Sequence, residues 1–332
     1  MISIDYNKPV DRLENVLFEV QLEKLFASSG SAKGENAEGK ELPDYRLVRN
    51  KKTGKVISVV SKNYKLISNK EALGMGIELF HQLYPDVNTD ELIPFRIVAP
   101  QSLASVHIDL IHKDVNFNML KQETWLPFIR VTNSYNRTYS LSFEVGFVKE
   151  LCSNGVLFNK KTMRLKYNHE RNRRITLKSD AEKIISFSKY FENQCNKLRQ
   201  YELTADVMFP LLCRILKISM KIPDERFIPN KIKNLENLKH FTAVQTKSYG
   251  QTNGLNAYTA FNVATDLISH NDTYNVLPGY YFNVRSFFTR PTDWAEDFSN
   301  KITGTGFNLD EYLRPTIKGL NNFNEIAGFR WN

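Results

Sequence analysis

The densest group of residues with an evident chemistry is a run of lysines and arginines at residues 159–178. The run contains eight basic side chains and a single acid, Glu170, which gives it a net charge of +7. Cations at this density suit a phosphate backbone, because each lysine or arginine can neutralise one phosphate. The predicted phosphate contacts in the run are Lys160, Lys161, Arg164, Lys166, Arg171, Arg173 and Arg174.

Side chains just before the run extend this candidate site. Arg130 and Arg137 add cations, and the ring of Tyr135 could stack on an unpaired base. Alternation along a strand would place Arg164 and Lys166 on one face, as a row of cations. A solvated charged surface above core aromatics explains the same residues, and at this stage both interpretations stay open.

The charge of the whole chain points to anionic partners. The 332 residues carry a formal net charge of +9 and an isoelectric point of about 9.2. Nucleic acid is the commonest partner of such a protein, followed by a membrane surface or an acidic protein. A second basic region, residues 214–247, has eight lysines and arginines against three acids.

Signatures of catalysis and of metal binding are absent or weak. The sequence has no phosphate-binding glycine loop, no dinucleotide-binding glycine motif and no His-Glu-x-x-His motif. His107 and His112 lie five residues apart, on opposite faces of a predicted strand, and make a poor metal pair. We therefore predict no catalytic residue, no cofactor and no metal.

Cys152 is the one side chain that could act as a nucleophile. It follows an alternating stretch that predicts a strand and precedes Asn154-Gly155, a pair typical of a turn. Lys149 and the basic run could lower the pKa of its thiol, whereas a cysteine at the end of a buried strand behaves as a small apolar residue. We favour the packed cysteine and keep an enzyme as a third hypothesis for function.

Cysteine usage and the N-terminus predict a cytoplasmic protein. Three widely separated cysteines suggest neither a disulfide framework nor a zinc site. The opening "MISIDYNKPVDRLENVLFEV" carries charges throughout, unlike a secretory signal. No stretch approaches the roughly 20 apolar residues that a membrane helix needs, so no membrane contact is expected.

Hydrophobic periodicity predicts an α+β fold in three parts. Residues 1–43 should hold an amphipathic helix, at 9–27, on a flexible Gly- and Ser-rich tether at 28–41. Residues 44–178 alternate with period two and predict a mixed β-meander crossed by one helix, with Asn69 as its cap. Residues 179–332 predict a mainly helical region packed on this core.

Three segments resemble one family, the phage- and plasmid-encoded proteins grouped as domain of unknown function 932. "NSYNRTYSLSFEVGFVKELCSNG" is similar to its Asn-Ser-Tyr strand that ends in a Cys-x-Asn-Gly turn. "YKLISNKEALGMGIELF" resembles its Tyr-x-x-(Val/Ile)-x-Asn-x-Glu-Ala helix entry, and "NAYTAFNVATDLISH" resembles its late helix, with Asn262-Val263 in place of Asn-Ala. The matches span residues 64–270 in the family's order.

The resemblance implies a protein of phages, plasmids or integrated elements, acting in nucleic-acid metabolism or in conflict with a host. In outline the predicted fold is also similar to single-strand annealing recombinases, which form oligomeric rings around a basic groove. The first hypothesis is therefore non-enzymatic binding of single-stranded DNA, for annealing or protection, by a possible homo-oligomer. The second is a protein-interaction module, a regulatory or counter-defence factor whose N-terminal helix contacts a host or phage protein.

Overall fold

The computed structural model describes residues 13–27, 39–119, 123–160, 163–167, 169 and 181–332, which form ten strands and nine helices joined by turns. The strands are β1 (Val20–Ala27), β2 (Lys40–Asn50), β3 (Val56–Ser61), β4 (Ile93–Val98), β5 (Ser105–Ile111), β6 (Phe117–Met119), β7 (Glu123–Ser134), β8 (Leu141–Lys149), β9 (Gly155–Leu157) and β10 (Arg164–Tyr167). The helices are α1 (Leu13–Val16), α2 (Asn69–Leu83), α3 (Ala181–Gln200), α4 (Ala205–Ile215), α5 (Ile228–Asn253), α6 (Ala257–Ser269), α7 (Asn271–Tyr274), α8 (Val284–Ile302) and α9 (Leu309–Ala327).

The first three strands form an antiparallel sheet of their own, in the order β1-β2-β3. Cross-strand ion pairs reinforce it, such as Glu23 Oε2 with Arg49 Nε at 2.7 Å. The helix predicted over residues 9–27 is therefore wrong for residues 20–27, which are extended. Apolar spacing favoured a helix there, but β2, which lies beyond the glycine-rich segment, supplies the backbone partners of β1.

The small sheet also changes the expected N-terminal organisation. Residues 28–38 of the predicted tether lie outside the described part of the chain, whereas Lys40 and Glu41 open β2. β2 continues through the predicted domain boundary at residue 43 to Asn50. Of the predicted N-terminal helix, Leu13–Val16 is helical, and the protein partner expected through that helix stays a prediction.

A second, larger sheet has the order β10-β8-β7-β5-β4, with β6 added to β7 and β9 to β8. All the strand pairs that the structure describes are antiparallel, so the predicted meander is present but is not mixed. Nearly all residues of β5, β7 and β8 are buried. Both faces of this sheet are consequently covered by other elements.

Helix α2 packs on one face of the large sheet, as the sequence predicted. Gly76 permits the close contact, because a Cβ there would lie 2.3 Å from Val131 Cγ2. Its N-cap is Ser68 and not the predicted Asn69: Ser68 Oγ accepts from Glu71 N, and Glu71 Oε2 accepts from Ser68 N.

The C-terminal half is helical and is built around α6, in which every residue is buried. Helices α3, α4, α5 and α8 pack against α6, and α8 also covers the second face of the large sheet through Phe288. The apolar core is continuous from α2 through the sheet to α9. The α+β class, with helices mainly in the C-terminal half, is thus confirmed.

Among the described residues, no helix combines the length and the apolar character that crossing a bilayer requires.

Candidate functional site

Strand β10 lies within the first half of the basic run and forms the outer edge of the large sheet beside β8. Arg164 and Lys166 lie on one face, as predicted, opposite Glu144 and Ser142 of β8. Lys166 is exposed and makes no ion pair with any residue that the structure describes. Arg164 instead turns inward, where its Nε lies 3.3 Å from Glu144 Oε1. Of this predicted pair, Lys166 is exposed, whereas the Arg164 side chain is 26% exposed and already pairs with Glu144.

Lys160 precedes the strand and is already paired. Its Nζ lies 2.8 Å from Glu296 Oε1, which also accepts a hydrogen bond from Tyr190 OH at 3.0 Å. The lysine and glutamate side chains are 40% and 36% exposed. Ion pairs this accessible contribute little to stability, so a phosphate could replace the glutamate as the partner of Lys160.

Arg137 is exposed in the turn between β7 and β8, where it adopts a positive φ of 63°. The turn lies beside His169, the one described residue between 168 and 180. Burial lowers the pKa of His169, a hydrogen bond to Lys65 O opposes that shift, and the charge of Arg137 lowers it further. The structure therefore brings Arg137 next to the basic run.

Two predicted contacts, Arg130 and Tyr135, lie in the interior and are removed from the candidate site. Both side chains are 0% exposed. Arg130 is paired with Asp109, and Tyr135 OH accepts a hydrogen bond from Asn69 N at 2.9 Å. Neither can reach a phosphate or stack on a base, because each is enclosed by its own protein partners.

Four predicted contacts fall outside the described residues: Lys161, Arg171, Arg173 and Arg174. They stay predictions from the sequence.

Sequence reasoning missed a row of charges that crosses the whole large sheet. Arg96 on β4, Asp109 on β5, Arg130 on β7, Glu144 on β8 and Arg164 on β10 are successive cross-strand partners. Their charges alternate in sign, and we name this row the charge ladder. The available signal was a charged residue in the interior of each of the apolar strands β4, β5, β7 and β8.

The centre of the charge ladder is buried and closely bonded. Asp109 accepts from Arg130 Nε at 2.6 Å and from Arg130 Nη2 at 2.7 Å, and the Arg130 guanidinium lies 3.8 Å from the Phe288 ring centroid. Burial is the largest single influence on the pKa of Arg130 and lowers it, but the charge of Asp109, the hydrogen bonds to Asp109 and the nearby Tyr280 and Glu144 together raise the pKa above its ordinary value. At the other end, Arg285 Nε of α8 contacts Glu144 Oε1 at 2.5 Å.

Several polar atoms along this face are buried without a hydrogen-bond partner among the described residues. They are Arg130 Nη1, Glu144 Oε2, Ser142 Oγ and His107 Nε2. Buried polar atoms are normally satisfied, often by internal water. We expect ordered water at this face, between the sheet and α8.

The segments that carry the family resemblance interlock in the structure. Asn133 Nδ2 donates to Asn69 Oδ1 at 2.9 Å, and Tyr64 OH donates to the Ser134 carbonyl at 2.8 Å. Each bond links the helix entry to the Asn-Ser-Tyr strand. These polar residues therefore have a structural role, which holds α2 against the sheet.

The turn after β8 is fixed in a similar way. Cys152 is 1% exposed and is packed, as expected, and burial raises the pKa of its thiol and so disfavours the thiolate. Asn154 Nδ2 donates to Tyr249 OH at 2.9 Å. The turn thus docks on the helices behind the sheet.

Glu91, His112 and Asp114 form the one group found among the described residues whose ligand atoms lie within 4.8 Å of one another. His112 is already engaged on both ring nitrogens: Nδ1 accepts from Asp114 N at 3.2 Å, and Nε2 donates to Asn88 O at 3.1 Å. Glu91 pairs with Lys113 at 3.1 Å. The group is better explained as a turn network than as a metal site.

Comparison with known proteins adds no identity: no protein-family model matches the chain, and no curated protein or solved structure matches it significantly.

Proposed function

We propose that the protein binds single-stranded nucleic acid, single-stranded DNA foremost, and that this binding is non-enzymatic. The observation that carries the proposal is the position of β10. This strand is the edge of the large sheet among the described strands, Lys166 projects from it into solvent, and the chain continues from it into the most basic part of the sequence.

The surroundings of β10 support the same function. Arg137 lies beside His169, which belongs to the basic run, and Lys160 pairs with the partly exposed Glu296. Together with the predicted contacts at Lys161, Arg171, Arg173 and Arg174, these cations would follow a phosphate backbone along one side of the sheet. With Tyr135 buried, we expect binding through phosphates and hence little dependence on base sequence.

The biological role that we propose for this binding is the annealing or the protection of single strands. The charge on β10, the resemblance to proteins of mobile elements and the similarity in outline to annealing recombinases support it. The interaction module is not carried forward, because its helix is replaced by β1 over residues 20–27.

Fluorescence anisotropy with a labelled oligonucleotide tests the proposal. We expect single-stranded DNA to bind more tightly than a duplex of the same sequence, and the logarithm of affinity to fall by about 0.7 per phosphate contact for each tenfold rise in salt. Failure of single-stranded DNA to bind at low salt would refute the proposed function.

A further inference from the structure

A second group of side chains, away from β10, has the connectivity of an acyl-transfer triad. Ser153 Oγ lies 2.9 Å from His270 Nε2, and His270 Nδ1 lies 2.6 Å from Asp266 Oδ1. Ser153 belongs to the turn between β8 and β9, and His270 ends α6, one turn after Asp266. Two distant parts of the sequence, the turn after β8 and the end of α6, thus meet in one hydrogen-bonded chain.

The hydrogen bonds of His270 fix the direction of proton transfer. Nδ1 faces two acceptors, the Asp266 carboxylate and the Asp266 carbonyl oxygen at 3.0 Å, so this nitrogen carries the proton. Nε2 then holds the lone pair and accepts from the Ser153 hydroxyl. This tautomer is the one in which histidine acts as a general base toward a serine nucleophile.

The backbone around Ser153 is held in an unusual conformation. Its φ is 47°, in the left-handed region that residues other than glycine seldom adopt. Arg96 Nη2 donates to the Ser153 carbonyl, and Gly155 N donates to Ser269 Oγ at 2.8 Å. Strain maintained by such contacts often marks a functional position, and nucleophilic serines are commonly held on a sharp turn after a strand.

The surface beside the triad indicates the kind of substrate. Ser153 and His270 keep only 8% and 7% of their surface exposed, so a group that reaches them from solvent must be slender. Leu151, two residues before the serine, is 63% exposed. A slender apolar acyl chain could lie along this leucine while its carbonyl carbon approaches Ser153.

We propose that Ser153 and His270, positioned by Asp266, hydrolyse carboxylic esters with small apolar acyl groups. Ser153 Oγ bonds to the ester carbonyl carbon while its proton passes to His270 Nε2. The intermediate expels the alcohol, which takes that proton and leaves an acyl-serine. Water, the co-reactant, then gives a proton to Nε2 and bonds through its oxygen to the acyl carbon. The bond from that carbon to Ser153 Oγ breaks, Nε2 returns the proton to Oγ, and the carboxylic acid leaves.

A fluorophosphonate, which forms a covalent bond with activated serines, tests the proposal on the folded full-length chain. We expect one adduct, located at Ser153 by peptide mass spectrometry, together with hydrolysis of p-nitrophenyl butyrate. Ser153→Ala should abolish both, and Ser102→Ala, which removes a hydroxyl from a surface turn, should retain both.

Asp266→Asn separates catalysis from structure, because it keeps the size of the side chain but removes the negative charge that stabilises His270 when it carries the proton of Ser153. We expect the labelling rate to fall at least about 100-fold and its pH profile to change, with the melting temperature close to that of the wild type. An absence of adduct at Ser153 in the wild type, or labelling of Asp266→Asn at the wild-type rate, would overturn the proposal and leave the three residues as a structural network.

Discussion

At the scale of single residues, burial decides which arginine can meet a phosphate. Arg130 on β7 has the same guanidinium as Arg137 in the following turn. Asp109 holds Arg130 at 2.6 Å beneath Phe288, whereas Arg137 is exposed. Residue type and distance along the chain cannot separate these two cases, because the ionic partner comes from another strand.

His107 gives a residue-scale prediction about pH. It is 1% exposed on β5, and burial, assisted by the charge of Arg130, lowers its pKa from 6.5 to about 3. The unfolded chain therefore binds a proton between these pH values that the folded chain does not. Stability is fully present above pH 6.5 and decreases as the pH falls toward 3.

Urea unfolding at several pH values checks this prediction. Between pH 6.5 and pH 5 we expect the wild type to lose about 1.5 kcal/mol more unfolding free energy than His107→Gln. His81→Gln, which removes an exposed histidine of α2, should keep the wild-type dependence. Parallel pH curves for His107→Gln and the wild type would contradict the account of His107.

At the scale of elements, hydrophobic periodicity correctly predicted strands and helices that bury one face or their whole surface. The strands β5, β7 and β8 and the buried helix α6 were predicted close to their observed positions. Helices α5 and α9 were missed, since the basic region around α5 was interpreted by its charge alone. β1 was taken for a helix, because its pairing with β2 is a long-range contact that no local pattern records.

The charge ladder gives a prediction for the large sheet. Asp109→Ala would leave the buried guanidinium groups of Arg96 and Arg130 without their carboxylate. Loss of one member of a buried ionic group costs about 3–5 kcal/mol, and we expect a decrease of that size in the free energy of unfolding. Urea denaturation followed by circular dichroism measures it.

Glu91→Ala is the matched control, because it also removes one carboxylate from an ion pair, but from an exposed one with Lys113. We expect little change in stability there. Equal losses in the two variants would show that the charge ladder does not stabilise the sheet.

At the scale of the whole molecule, the positively charged side chains lie in two kinds of place. Some cations are internal: Arg96 and Arg130 belong to the charge ladder, and Arg285 joins it from α8. Others lie on the surface around β10, where the proposed function needs them. The sequence predicted the α+β class and the basic run, but not the ladder, the buried Tyr135 or the Ser153–His270 pair, since each depends on contacts between distant segments.

The central claim is that single-stranded DNA binds along the basic edge. The most direct test compares two variants that lose the same positive charge at different places on the chain. Arg171→Ala, Arg173→Ala and Arg174→Ala combined in one variant remove three of the predicted contacts. A control variant with Lys221→Ala, Arg226→Ala and Lys233→Ala removes the same charge from exposed positions in the α4–α5 connection and on α5.

The measurement is the affinity of both variants for single-stranded DNA over a series of salt concentrations. The account predicts that the first variant binds more weakly to every sequence, with its salt slope flattened by about 2, and that the control stays close to the wild type. Unchanged affinity in the first variant, or an equal loss in both, would contradict binding at this edge.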